Sequence, residues 1–372
     1  MKRIWTRWLP AAAVPAVVAV GVLAAGAVAV SPPPPATPEQ VLALVASHAA
    51  RQFSGTVEER ADLGLPSIPA QALAPATKSA TLGGEATLLE LLTTAHAARV
   101  YTDGPTKVRV QIMDQLAERD AIRNGNDVWT FDSKTNEVTH ATLPAGAGPE
   151  AGATAKTPVM TPDQLAQRFL AAAGPSTNVT LGQSASVAGH SAYTLVLTPK
   201  TSGTLVGSVQ IAVEAQTGLP LAVDVYAKGQ QDPAFHAAFT KLDLGAPDAS
   251  VFAFTPPAGA TVKEHPVPAP ATTPKATPGA TPGATPKASP APKPSTGAKT
   301  PESAPGWDTV VVVPAAKVPA GFLDQPLVKQ LATPVSGGRL LSSSLVNILI
   351  TNDGRVLVGA VPASTLEAKA AQ

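Results

Sequence analysis

The sequence predicts a mainly β, α+β protein built from antiparallel strands, and three features predict it. Residues 99–141 read as a β-meander in which Val108, Val110 and Ile112 alternate with Lys107, Arg109 and Gln111, the period of a strand with one buried face. A second meander runs from Val179 to Phe254 with the same alternation. Each β-rich block is introduced by a similarly capped amphipathic helix, starting at Thr37-Pro38-Glu39-Gln40 and at Thr161-Pro162-Asp163-Gln164. In both, the threonine caps, the proline takes the first helical position and the glutamine closes a capping box.

The chain has 372 residues, enough for one large or two small domains. A net charge of +1 gives no electrostatic drive toward nucleic acid or an anionic membrane. The absence of cysteine removes disulfides, thiolate nucleophiles and a lipid-modified cysteine. Aromatic residues make up only 4%, so the core has to be built from Val, Leu, Ile and Ala.

Residues 1–30 read as a signal peptide or anchor. Lys2, Arg3 and Arg7 precede an apolar run from Leu9 to Val30, and Ala27-Val28-Ala29 has the small-x-small pattern of cleavage. Cleavage is the preferred reading, because Pro10 and Pro15 shorten a run otherwise about long enough to span a bilayer. The chain is therefore expected to be exported, to the cell envelope or beyond it.

After the stiff spacer SPPPPA, the first helix is expected over 38–52, with Val41, Leu42, Leu44 and Val45 on its apolar stripe. Phe53 to Glu59 reads as the first strand. Residues 61–84 form a long apolar loop suited to a lid or to the rim of the domain, and Thr87–Leu92 suits a short helix. In the meander that follows, Asp103-Gly104 and Asn124-Gly125 are turn chemistry, and Trp129 and Phe131 share one face of their strand. Residues 144–158 have loop composition. The second helix, 161–173, carries Leu165, Ala166, Phe169 and Leu170. In the second meander, Gly189 and Thr217-Gly218 mark tight turns, and Leu195, Leu197, Ile211 and Val223 lie on apolar parities. Phe252 to Phe254 closes that block. Residues 263–305 are a Pro/Ala/Thr-rich linker with a reach on the order of 120 Å at ~3.1 Å per residue. Residues 306–372 regain apolar content and carry a hairpin signal at Asn352-Asp353-Gly354. Some 65 residues are marginal for an independent core, so this segment either folds alone or docks on the main sheet.

No catalytic constellation is legible. The six histidines stand far apart without metal-ligand spacing, and there is no nucleophile elbow or phosphate-cradling glycine loop. Asp114, Glu118 and Asp120 cluster near a strand connection, where a solvated polar edge is the plainer explanation. No metal, cofactor or nucleic-acid partner is expected, and the chain is not read as an enzyme.

Taken in order, FSGTVEE, LGLP, RVYTDGPTKVRV, ERDAIRNGNDVWTFDSKTNEV, VAGHSAYTLVLTPK and VGSVQIAVEAQTGLPLAV resemble the LolA-like superfamily. That group includes the lipoprotein carrier LolA, the RseB envelope-stress sensor and mycobacterial-type lipid carriers, and the chain looks most like its secreted high-GC Gram-positive branch. The resemblance covers about residues 38–262, within a LolA-like domain expected over 37–262. It implies a curved, unclosed antiparallel half-barrel with helices on its concave face. It also implies an extracytoplasmic binder of lipid or lipoprotein acyl chains. The alternative is a sensor or interaction module for another envelope protein, such as an anti-sigma factor. The chain departs from the mycobacterial carriers in having no lipobox cysteine.

An apolar cavity under the helices would bind an acyl chain by area, at ~0.8 kcal/mol for each buried CH₂. The expected lining is Val108, Val110, Ile112, Trp129 and Phe131 from the first meander. The second meander adds Leu195, Leu197, Ile211 and Val223, and the helices add Leu44, Val45, Leu165 and Phe169. For each of these, ordinary core packing is the plainer role.

Overall fold

The computed structural model describes residues 31–48, 52–64, 95–113, 117–144, 160–265, 306–318, 328 and 331–372. The expected signal segment, most of the 61–84 loop, the helix at Thr87–Leu92, Asp114 and nearly all of the linker lie outside these residues.

Both meanders join in one sheet. The first supplies β1 (Gln52–Ala61), β2 (His96–Asp103), β3 (Lys107–Met113), β4 (Glu118–Asn124), β5 (Asp127–Asp132) and β6 (Glu137–Thr142). The second supplies β7 (Thr177–Leu181), β8 (Ala185–Val187), β9 (His190–Pro199), β10 (Val206–Glu214), β11 (Pro220–Ala227) and β12 (Phe235–Asp243). With β13 (Thr261–Glu264) they form a 13-stranded sheet, ordered β13-β6-β5-β4-β3-β2-β1-β12-β11-β10-β9-β7, with β8 paired to β9. The sheet is curved and not closed into a barrel.

The seam between the meanders is β1, which pairs antiparallel with both β2 and β12. The β1–β12 register shifts at Thr56/Val57, a bulge that bends the strand. Gly55 sits beside it because a Cβ there would lie 2.7 Å from both the Lys241 carbonyl oxygen and the Phe239 ring. The Val187–His190 hairpin turns through Ala188 (φ 50°) and Gly189 (φ 83°), the two positive φ angles of a tight two-residue turn.

Helix α1 is Pro38–Ala46 and α2 is Pro162–Ala172. Both have the expected capping box, with Gln40 and Gln164 returning to their caps. Helix α1 ends short of the expected residue 52, because the Ser47 hydroxyl donates to the Ala43 carbonyl at 2.7 Å and closes the last turn.

Phe252–Phe254 does not form a closing strand. Residues Ala249–Phe252 make a 3₁₀ turn capped by Asp248, and the chain then runs to β13, which pairs parallel with β6. This strand carries the fold past residue 262, the expected end of the LolA-like domain, to Glu264.

Residues 306–372 build a second sheet from β14 (Val310–Val313), β15 (Thr333–Val335), β16 (Gly338–Ser342), β17 (Asn347–Thr351) and β18 (Val356–Gly359), in the order β14-β18-β17-β16-β15. Helix α3 (Ala363–Ala370) covers it, with Leu366 fully buried against Leu349 and Leu357. This unit has its own core and is also docked on the large one. Leu345 joins the main core, and the Leu205 amide and Thr204 hydroxyl both donate to the Ala360 carbonyl. The Ser344 amide donates to the Leu63 carbonyl at 2.9 Å. Trp307 donates from Nε1 to Thr177 Oγ1 at 2.7 Å and stacks on Phe169 of α2, with centroids 6.3 Å apart.

The edges differ in how they are guarded. Edge β15 has three residues including Pro334, and edge β13 carries Lys263, paired with Glu137 at 2.6 Å. Edge β14 is four consecutive valines, with Val311 57% and Val312 40% exposed.

Candidate functional site

The face under the helices is built from cross-strand rows. Pairing places Leu181, Leu195, Ile211, Val223, Ala237, Glu59 and His96 in one line across seven strands from β7 to β2. Side chains opposite one another on paired strands share a face, so the parity of one fixes the others. The neighbouring row carries Leu197, Val209 and Val225. Helix α1 lays Val41 and Val45, one turn apart, onto this face near β7 and β9, and α2 lays Leu165 and Ala166 over β11 and β12.

Here the expected lining meets the structure. Leu195, Leu197, Ile211 and Val223 are fully buried and lie in one core cluster with Val45 and Leu165. Leu44 and Phe169 are half-buried on its flank, Phe169 under Trp307. These eight residues are brought together, and they pack against one another. A pocket of about 210 Å³ lies between Pro33–Ala36 and the Leu181–Tyr193 region. That is below the ~300 Å³ at which small-molecule pockets begin.

The first-meander residues divide between the two faces. Val108, Val110 and Ile112 pair with Thr102, Val100 and Ala98, and Ala98 pairs with Val57 of β1, so they continue the helix-side face beyond the helices. Ile112 is buried beside Ala98, while Val108 and Val110 are half-buried. Trp129 and Phe131 face the other way. Trp129 pairs with Ile122, which pairs with Arg109, and Arg109 has the opposite parity to Val108. They therefore leave the expected lining. On that outer face Trp129 stacks on His140 at 3.8 Å, and Phe254 leans on both Trp129 and Phe131. Arg109 ties the covering segment down by donating to the Val251 carbonyl at 3.1 Å.

The two described members of the acidic cluster, Glu118 and Asp120, are paired rather than simply solvated. Asp120 is 5% exposed and accepts from Arg109 at 2.6 Å, and Glu118 accepts from Gln111. Burial pushes the Asp120 carboxyl above the usual aspartate value, against the pull of Arg109. His140 lies between two carboxylates, with Glu264 2.9 Å from Nδ1 and Asp127 3.2 Å from Nε2. His48 bonds the Val45 carbonyl through Nδ1 at 2.9 Å, a helix-end role. Among the described residues, no group of three or more His, Asp or Glu side chains is placed to hold a metal ion.

One feature of the face escaped the sequence reading. Glu59 is 2% exposed where the apolar row ends, with His96, 4% exposed, opposite it on β2. Its Oε1 accepts the Met160 amide at 3.0 Å, immediately before the Thr161 cap of α2, and its Oε2 has no hydrogen-bond partner. Burial raises the carboxyl to about 7, opposed by that single amide. The parity of Phe53, Gly55 and Val57 was the available signal, since it continues to residue 59.

The family model described as "Predicted periplasmic protein (DUF2092)" matches residues 81–263. No curated protein matches the chain. Among solved structures, it is similar to MucB in a MucA/MucB complex from Pseudomonas aeruginosa, with 16% identity and a TM-score of 0.40 over 90% of this chain and 96% of that one. It is also similar to a LolA superfamily protein from Nitrosomonas europaea, with 12% identity and a TM-score of 0.22 over 59% of this chain and 99% of that one. An uncharacterized conserved protein from Thermus thermophilus shows 11% identity and a TM-score of 0.33 over 61% and 98%. The curved, unclosed antiparallel sheet with helices against one face, expected from the sequence, is the architecture the fold has. No helix among the described residues is long and apolar enough to cross a membrane.

Proposed function

We propose that this chain is an exported, non-enzymatic binding protein of the cell envelope whose ligand is a segment of another envelope protein. The supporting observation is the close packing of the helix-covered half of the concave face. Where an acyl-chain carrier needs space, Val45 and Leu165 already occupy the ground above Leu195, Ile211 and Val223, and Leu345 of the C-terminal unit joins the same core. Two docked units, joined by backbone hydrogen bonds and by the apolar contacts of Leu345 and Trp307, suit recognition of a polypeptide better than uptake of a chain into the interior.

A lipid-carrier reading keeps one observation in its favour. Val108 and Val110 continue the apolar helix-side face beyond α1 and α2 and are half-buried there. An acyl chain taken by this protein would lie on that half of the sheet.

Native mass spectrometry of protein recovered from envelope fractions, with cross-linking of its neighbours, separates the two readings. A lipid-free mass with one reproducible envelope-protein partner is the expected result. A stoichiometric lipid adduct without such a partner would replace the proposal with the carrier reading.

A further inference from the structure

We propose that Glu59 is a protonation-controlled latch for α2: the neutral carboxyl holds the root of the helix on the sheet, and its ionisation releases it. The proposal goes beyond the binding function and does not depend on which ligand is bound.

The geometry carries it. Glu59 follows five apolar residues in its row on the helix-covered side and stands between Ala237 on β12 and the buried His96 on β2. Among the described residues its hydrogen bond runs to the Met160 amide, the residue that leads α2 onto β11 and β12. Removing that bond removes a fixed point at the N-terminal end of the helix. The Met160 bond favours the carboxylate, but burial outweighs it: an ion in this apolar site needs several donors or water, and Oε2 has none, so ionisation draws the group toward solvent and off the helix root.

The charged groups on the elements packed around it are directed elsewhere. On α2 the first-turn acid is Asp163, which stands 3.7 Å from His48 of α1, and Arg168 is exposed. On β1 the flanking Glu58 and Arg60 point to the other face and pair with each other at 2.9 Å. On β11 and β12 Asp224 and His236 also lie on the other face, 2.5 Å apart. His96 is the titratable side chain opposite Glu59 on the same face.

The direction follows from linkage. With the carboxyl raised from 4.5 to about 7 in the closed state, closure is fully present below about pH 4.5 and is lost as the pH rises through about 7. If opening fully hydrates Glu59, the opening equilibrium should increase on the order of 30-fold between pH 5.5 and 8.5.

Hydrogen–deuterium exchange of the 160–172 amides in the full chain tests this, comparing wild type with Glu59→Gln, which keeps the acceptor and cannot ionise. After correction for intrinsic exchange, wild-type protection should fall by roughly that factor over the range while the variant stays flat. A flat wild type, or the same slope in both proteins, overturns the proposal. Should Glu59→Gln fail to fold, the wild-type Met160 amide resonance decides. A shift with a midpoint near 7 supports the latch, and an unchanged resonance overturns it.

Discussion

Ile211 shows what a single residue in this face is asked to do. It lies between Leu195 and Val223 in a fully buried row under two helices. Ile211→Trp should therefore cost ~1–3 kcal/mol, read as a lower midpoint in urea unfolding, because a close-packed interior has no place for the added rings. An unchanged midpoint would show an open cavity after all. The alternation of Leu195, Ile211 and Val223 was enough to place them on one buried face, since side-chain parity within a strand is local information. Trp129 and Phe131 were harder, because their face depends on register carried through two hairpins from Arg109 to Ile122 to Trp129. Aromatic character suggested the interior, whereas register put them on the outer side. Glu59 was missed for the opposite reason: a charged residue in FSGTVEE reads as exposed by type, and only its parity says otherwise.

At the scale of elements, the two helices were the most legible, because capping boxes act within four residues and require no tertiary partner. The parallel strand β13 was not legible. Its partner β6 lies more than a hundred residues earlier, and Thr261–Glu264 has no apolar alternation to announce a strand. The covering segment 249–254 was likewise hidden, because Arg109 and Asp120, which anchor it, look like ordinary surface charges until the fold buries them. That anchor makes a specific prediction. Arg109→Met leaves the Asp120 carboxylate buried without its cation and should cost roughly 3 kcal/mol at neutral pH. The loss should shrink in acid, where a protonated Asp120 no longer needs the guanidinium. Denaturation midpoints of both proteins at pH 7 and pH 4 check the sign.

For the whole molecule, composition divides the chain into a large β unit, a proline-rich stretch and a small apolar tail. Docking of that tail stood only as one of two outcomes in the sequence, because several of its contacts are backbone carbonyls and amides, as at Ala360 and Leu63, which any sequence carries. Among the side chains at the seam, Leu345 and Trp307, the second is the easier to test. Trp307→Ala removes the stack on Phe169 and leaves Thr177 without its indole donor, so it should weaken docking by about 2 kcal/mol. Calorimetry should then resolve two unfolding transitions where the wild type shows one. A single unshifted transition would show that the backbone contacts alone hold the two units together.

The unguarded β14 edge has a consequence for how the protein behaves in a tube. Among the described residues no strand pairs with its outer side, and Val310–Val313 offers no charge or internal proline to discourage one. Two such edges can meet antiparallel with valine against valine throughout, until Pro314 ends the ladder. Four residues are too few for a lasting assembly of defined size, so the outcome is weak, concentration-driven clustering that worsens during purification and storage. Placing a single ammonium on this strand should suppress it. For Val312→Lys, static light scattering should show a second virial coefficient raised relative to wild type, with the unfolding midpoint shifted by no more than ~0.5 kcal/mol.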